Sequence, residues 1–256
     1  MIIDAHIHLT PDGRWFHTSY DARVDTALEQ MDRVGITMAS VIPMPGRLQR
    51  DFVAELVSNR SDRFCTGFTV TALDETELQE CRQWLESGAA KFIKVHPRET
   101  GIAPLEPKLG PFLDMAEKKR VPVIFDTYIR GHRLPLNKLT PLCYDELARH
   151  RPNLTIILAH AGGHRVMDAL AVAQTHPNVY LELSHVLAYF KGTSLEDDFT
   201  FIINRLDRKL IYGSDFPEYH IDTYYNMVKD KIVSLHDFDT DDFLGGTWNH
   251  LISQQA

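Results

Sequence analysis

The stretch MIIDAHIHL, residues 1–9, decides the fold of this chain. Its residues alternate in polarity with a period of two, which predicts a β-strand with Asp4, His6 and His8 on one face and Ile3, Ala5 and Ile7 on the other. Neutral imidazole is the commonest side-chain ligand for zinc and similar divalent metals, and this spacing directs two imidazoles to one point. A metal site is one interpretation, and a pair of structural histidines is the other.

Composition narrows the class of protein. The 256 residues suffice for one barrel-sized domain or two small ones, and 44% hydrophobic with 24% charged residues is typical of a soluble globular protein. A net charge of −8 argues against a nucleic-acid surface, so a small-molecule substrate is expected. Three widely spaced cysteines, no membrane-spanning run and no presequence before the first strand lead us to expect a cytoplasmic protein that binds no membrane. The cysteines are Cys65, Cys81 and Cys143.

Strand-like and helical segments alternate along the whole chain. The first helical segment, from about residue 24 to 34, has apolar residues at helical spacing and ends at Gly35. Later helical segments start near residues 48, 75, 111 and 166. The strand-like segments after the first cover residues 39–43, 64–70, 91–96, 121–126, 154–160, 179–184 and 209–215.

Eight strands alternating with helices predict an α/β protein, a single (β/α)8 TIM barrel of parallel strands over residues 1–256, with no accessory β-sandwich domain. A doubly wound open sheet is the alternative, because alternation alone does not show closure. The strand count and the polar residues at many strand ends favour the barrel. Its shell of exposed helices allows a homodimer.

Polar residues end several of the predicted strands. The period of two places three of them on the inward face with apolar neighbours: Asp126 with Ile124, His160 with Ile156 and Leu158, and Asp215 with Ile211 and Gly213. Singly, they have ordinary interpretations as a turn former, a core histidine and a helix cap. Because the C-terminal ends of barrel strands meet at one mouth, their convergence with His6 and His8 favours a metal site.

Several motifs resemble the amidohydrolase superfamily. They are HIH at residues 6–8, ILAHAGG at 157–163 and YGSDFP at 212–217. The chain is most similar to the amidohydrolase-related (amidohydrolase 2) group, which holds metal-dependent hydrolases and non-oxidative decarboxylases. MDRVGI at 31–36, IKVHP at 93–97 and FLGGTWN at 243–249 extend the resemblance from end to end.

The resemblance implies a divalent metal, most often zinc, held by His6, His8 and Asp215 with His160 close by. In that group the fifth strand normally ends in a ligating histidine, where this chain has Asp126. A carboxylate also ligates metals, so Asp126 is expected as a further ligand that shifts the preference toward manganese or magnesium. A weakened or empty site is the alternative.

The resulting hypothesis is a metal-dependent hydrolase that cleaves an amide, lactone or related bond of a small, carboxylate-bearing substrate through a metal-activated water. Asp215 is the expected proton carrier, and His160 is expected to stabilise the developing oxyanion. A non-oxidative decarboxylase of an unsaturated or aromatic acid is the alternative. A non-catalytic metabolite-binding barrel with a degenerate metal site is the second alternative.

Substrate-binding candidates lie in the fourth strand and in the loops after the fifth and sixth strands. Lys94 and His96 share a strand face; in some relatives a modified lysine on this strand bridges two metals, but here Lys94 is interpreted as a structural or substrate-orienting group. A loop guanidinium binds a carboxylate bidentately, which suggests Arg130 and Arg165. His164 is a further candidate. Weaker candidates are Arg133, His185, His220 and Glu182, the last with an ordinary interpretation as the buried partner of a neighbouring base.

Overall fold

A computed structural model describes residues 1–45, 50–131, 133–233, 235 and 238–254. In this part of the chain, eight parallel strands form one sheet in chain order. Ala5 N–H donates to Tyr212 O (3.0 Å) and Asp215 N–H donates to His6 O (2.9 Å), which joins the last strand to the first. The predicted (β/α)8 barrel is confirmed, and every strand assigned in these residues belongs to it. The strands are β1 Ile2–Ile7, β2 Ile36–Val41, β3 Phe64–Val70, β4 Ala90–Val95, β5 Val123–Asp126, β6 Ile156–Ala159, β7 Val179–Glu182 and β8 Leu210–Ile211.

Helices cover the outside of the sheet, and the local sequence sets their ends. Gly35 has a φ of 75°, and its N–H bonds to the carbonyls of Met31 and Asp32 at the end of the first helix. The predicted start of the second helix, near residue 48, lies outside the described residues. The helix is described from Arg50 onward. The helices are α1 Val24–Val34, α2 Arg50–Asn59, α3 Glu75–Glu86, α4 Pro97–Thr100, α5 Gly110–Lys119, α6 Cys143–His150, α7 Val166–Thr175, α8 Val186–Tyr189, α9 Leu195–Ile203, α10 Ile221–Val233 and α11 Thr247–Ser253. Among the described residues, none of these helices combines the length and apolarity needed to cross a bilayer.

The core has two layers. The larger cluster joins the strands to the surrounding helices. A smaller cluster contains strand residues and α11 residues, which places it inside the barrel with α11 across its N-terminal end. There, the Trp248 ring lies 5.4 Å from the Phe92 ring, and Trp248 Nε1 donates to Ser40 Oγ at 2.8 Å. The opposite end of the barrel is therefore left for polar side chains.

In two strands, the residues that point into the barrel differ from those that the period of two predicts. In β6, Ile157 and Ala159 belong to the inner cluster and Leu158 to the outer one, so His160 does not share a face with Leu158. His160 reaches the mouth because β6 ends at Ala159 and His160 adopts a φ of 62°. In β1, Ile3 and Ala5 join the inner cluster while Ile7 joins the outer one, and pairing with β2 is irregular between Asp4 and Ile7.

Candidate metal centre and cavity

Three predicted ligands converge at the C-terminal mouth of the barrel. His6 is the last residue but one of β1, His8 follows the strand, and Asp215 follows β8. Asp215 Oδ1 lies 3.3 Å from His8 Nε2 and 3.7 Å from His6 Nε2. One ligand atom from each of the three residues lies within 4.8 Å of the other two, so these atoms can hold one metal ion.

The hydrogen bonds of the two imidazoles suit metal binding. His6 Nδ1 lies 2.9 Å from Glu182 Oε2, and His8 Nδ1 donates to Ile42 O at 2.7 Å. Each ring therefore directs its Nε2 toward Asp215, and in the described part of the chain the buried Nε2 of His6 has no hydrogen-bond partner. Burial lowers the pKa of His6 to about 4, which favours the neutral imidazole that a metal requires. Two imidazole nitrogens and one carboxylate oxygen fit the donor set of a catalytic zinc site.

A second group, His6, His160 and Glu182, also brings three ligand atoms together. The side chains of this second group are already linked to one another by hydrogen bonds through Ser184. Ser184 Oγ donates to Glu182 Oε2 at 2.9 Å and lies 3.1 Å from His160 Nδ1 and 3.2 Å from His6 Nδ1. This group therefore acts as a hydrogen-bonded support for the first, with Glu182 as the buried partner of an imidazole.

Asp126 lies in a different set of contacts. Arg98 Nε donates to both of its carboxylate oxygens, at 3.0 and 3.1 Å, and His96 Nδ1 lies 3.2 Å from Oδ2. Burial would raise the pKa of Asp126, but Arg98, His96 and His160 together hold it well below its usual range. Neither of the two ligand groups found among the described residues includes Asp126. The structure thus pairs the expected fourth ligand with an arginine.

His160 is buried beside this pair. Its Nε2 lies 3.5 Å from Asp126 Oδ2, and its Nδ1 lies 3.2 Å from the carbonyl oxygen of Ser184. Burial lowers the pKa of His160, but the carboxylates of Asp126, Asp215 and Glu182 outweigh it and raise the pKa above the ordinary value. These carboxylates therefore favour the protonated form of the ring relative to a free imidazole.

A cavity of about 190 Å³ opens at this mouth. Two predicted substrate-binding residues, His96 and Arg130, line it. Sequence reasoning did not select its aromatic wall or Arg98, since these residues lie in loops and the short α4, where no periodicity indicates direction. The lining residues are His8, Trp15, Phe16, Met44, His96, Arg98, Glu99, Tyr128, Arg130, His160, His185, Asp215 and Glu218.

Two of these lining residues contact the candidate metal ligands directly. Trp15 stacks on His8 with 4.9 Å between ring centroids, and its Nε1 donates to Glu218 Oε1 at 2.9 Å. His185 Nδ1 lies 3.3 Å from Asp215 Oδ2. The position of His185 one residue after Ser184, beyond the end of β7, was the only sequence signal for its place at the mouth.

The other substrate-binding candidates lie off the cavity wall. Lys94 is fully buried, and among the described residues its Nζ has no hydrogen-bond partner; burial lowers its pKa. His164 and Arg165 are exposed, and Arg165 forms an ion pair with Asp168. Roles for these three residues in substrate binding stay predictions.

Family comparison agrees with this geometry. The amidohydrolase 2 family model matches residues 3–235. The chain belongs to this amidohydrolase family. A search of curated proteins gave no significant match.

Solved structures share the barrel of this amidohydrolase over nearly its whole length. A probable 2-pyrone-4,6-dicarboxylic acid hydrolase from Acinetobacter baumannii, with citric acid bound, has a TM-score of 0.73 and 15% identity, covering 98% of this chain and 99% of that one. An amidohydrolase from Burkholderia multivorans with bound zinc has a TM-score of 0.72 and 13% identity, covering 99% of each chain. A 2,6-dihydroxybenzoate decarboxylase from Rhizobium has a TM-score of 0.67 and 16% identity, covering 98% of each. Identities this low show the fold alone.

Proposed function

We propose that this amidohydrolase is a metal-dependent hydrolase of a small, carboxylate-bearing substrate. The main observation that supports this proposal is the position of Asp215. Its Oδ1 is directed at the Nε2 atoms of His6 and His8, and its Oδ2 lies 3.3 Å from His185 on the cavity wall. One carboxylate therefore contacts both the metal ligands and the space where a substrate would bind.

His6, His8 and Asp215 would hold the metal. When bound, a divalent cation supplies Lewis acidity: it polarises a substrate carbonyl and makes water a better nucleophile at neutral pH. Zinc is proposed because of the nitrogen-rich donor set, and the bound zinc of the Burkholderia amidohydrolase supports it. Manganese is the alternative that the single carboxylate allows.

Proton transfer is assigned to Asp215 and charge stabilisation to His160. Asp215 accepts the proton of the attacking water and returns it to the leaving nitrogen or oxygen. Burial would raise the pKa of Asp215, but several contacts, chiefly those with His185 and His8, hold it well below the usual range, so the carboxylate is ionised. His160, whose pKa is raised, donates a hydrogen bond to the carbonyl oxygen as negative charge develops there.

A decarboxylase is the second candidate. The cavity has an aromatic wall of Trp15, Phe16 and Tyr128, which suits a flat unsaturated or aromatic acid. The Rhizobium decarboxylase of the same fold supports this candidate, and the Acinetobacter hydrolase supports the first. Both reactions would use the same metal ligands.

The test combines metal analysis with a substrate panel. Protein purified without chelator is assayed for bound metal, then incubated with lactones, amides and unsaturated acids while acid release and carbon dioxide are monitored. We expect one metal ion per chain and hydrolysis without carbon dioxide. Asp215→Asn should remain folded and lose activity by roughly a hundredfold to ten-thousandfold. Asp62→Asn is the control, because the Asp62 side chain is 71% exposed.

The outcomes separate the candidate functions. Release of carbon dioxide from an acid, with no hydrolysis in the panel, would identify the decarboxylase. Folded protein with far less than one metal ion per chain would indicate the non-catalytic binder. Full activity in Asp215→Asn would remove Asp215 from proton transfer.

A further inference from the structure

In the Asp126–Arg98 ion pair, the carboxylate is buried and the guanidinium lies on the cavity wall. The Asp126 side chain is fully buried, whereas the Arg98 side chain is 16% exposed and lines the cavity. Only Arg98 can therefore meet a ligand. Asp126 fixes the guanidinium through two bonds from Nε, and Glu99 Oε1 accepts from Nη1 at 2.7 Å.

This arrangement leaves part of the Arg98 fork available. Among the described residues no acceptor bonds to its Nη2, and Nη2 is not among the buried atoms that lack a partner. A guanidinium whose Nε and Nη1 are held and whose Nη2 is left to donate is preorganised for a second carboxylate, because little rotamer entropy remains to be lost on binding. Arg130 adds a second guanidinium to the same cavity wall.

We propose that Arg98, held in place by Asp126, is the binding site for a carboxylate of the substrate. Asp126, at the end of β5, then orients an arginine instead of ligating the metal. This proposal rests on the proposed function in one respect: it takes the anion that Arg98 binds to be part of the substrate. It makes Arg98 a specificity-determining residue for acids over neutral compounds of the same shape.

Binding measurements test the proposal without requiring turnover. Calorimetry compares benzoate with benzamide, a neutral compound of nearly the same shape, on the protein as purified. Wild type should bind benzoate more tightly by roughly tenfold or more, since a hydrogen bond between charged groups contributes about 1.5–3 kcal/mol. Arg98→Met should remove that preference, and Arg98→Lys should restore it only in part because lysine lacks the fork. Arg149→Met is the matched control, an exposed arginine on α6 that pairs with Asp145.

Asp126→Asn tests the role of the buried carboxylate. We expect this variant to keep the metal content of wild type and to lose most of the benzoate preference. Loss of the metal with benzoate binding unchanged would make Asp126 a metal ligand and overturn the proposal. Removing one partner of a buried pair is destabilising, so circular dichroism must show that the variant folds; if it does not, the two Arg98 variants decide.

The proposal and the hydrolase assignment fail separately. If wild type does not prefer benzoate, or Arg98→Met keeps the preference, the anion site is wrong even when the enzyme hydrolyses other substrates. If the preference depends on Arg98 but the substrate panel yields no hydrolysis, the anion site stands and the hydrolase assignment fails.

Discussion

His6 Nδ1 lies 2.9 Å from Glu182 Oε2, and both side chains are almost completely buried at the inner wall of the barrel. The carboxylate fixes the ring so that Nε2 faces Asp215. Burial would raise the pKa of Glu182, but the neighbouring His6, His160 and Lys94 lower it, so Glu182 stays ionised. A buried anion behind a ligating imidazole increases the basicity of the ring and holds its orientation.

Glu182→Gln should weaken metal binding while leaving the barrel folded. The amide keeps the shape of the side chain but loses the charge behind His6, and changes of this kind cost roughly 10- to 100-fold in metal affinity. Competition between the protein and a chromophoric chelator for zinc gives the affinity. Glu196→Gln, on the outer helix α9, is the control. An affinity equal to that of wild type would show that Glu182 does not support the ligand.

Gly67→Ala should destabilise the barrel. A Cβ atom at Gly67, within β3, would lie 2.6 Å from the backbone oxygen of Phe92 and overlap its ring. Overpacking of this kind costs about 1–3 kcal/mol in the free energy of unfolding, measured by urea denaturation. Gly110→Ala is the control, since its φ is −47° and the nearest atom to a new Cβ, Nη2 of Arg151, is 3.8 Å away. Equal stability of the two variants would contradict the close contact.

Local sequence was sufficient to predict the barrel, and it singled out His6, His8 and Asp215, which the structure brings together. Which residues of each strand point into the barrel was harder to predict. Helix ends such as Gly35 and apolar strands carry their own signals, so the alternation of elements was correctly predicted. The irregular pairing of β1 and the φ of 62° at His160 break the period of two, and neither has a signature in the sequence. His160 was therefore predicted at the mouth for the wrong geometric reason.

The partner of Asp126 was beyond sequence reasoning for a different reason. Asp126 ends β5 and Arg98 lies on α4, 28 residues earlier, so only the closed barrel brings them together. Arg98 directly follows His96 and Pro97, but an arginine in a loop-like stretch is usually solvated. The burial of this ion pair arises only from the tertiary structure, so the local sequence does not indicate it.

Metal binding should change the fluorescence of Trp15 specifically. Its ring stacks on His8 at 4.9 Å, so a metal on the imidazole alters its immediate surroundings. We expect titration with Co²⁺, a quenching metal, to reduce the emission, and Trp15→Phe to remove most of that change. Trp84→Phe should retain it, because Trp84 packs against Phe68 behind β3. Equal quenching in both variants would place the metal elsewhere.

A buried carboxylate outside the candidate metal centre should control acid stability. Glu77 on α3 is 4% exposed and accepts hydrogen bonds from the N–H groups of Thr71, Ala72 and Leu73, at 2.8, 2.8 and 3.0 Å. Arg50 Nη2 also donates to it at 2.7 Å. Burial alone would raise the pKa of Glu77, but the bonds from Thr71, Ala72 and Leu73 outweigh burial and bring the pKa below the ordinary value of 4.5.

Because the pKa of Glu77 is lower in the folded than in the unfolded state, its stabilising contribution is present above pH 4.5 and is lost as the pH falls through the lowered folded value. Glu77→Gln should therefore reduce the free energy of unfolding at neutral pH by about 1.5–3 kcal/mol, and the difference from wild type should shrink on acidification. Urea denaturation at a series of pH values measures both effects. Glu75→Gln, exposed on the same helix, should change stability far less. A difference between wild type and Glu77→Gln that stays constant as the pH falls would show that the ionised carboxylate is not what stabilises this turn.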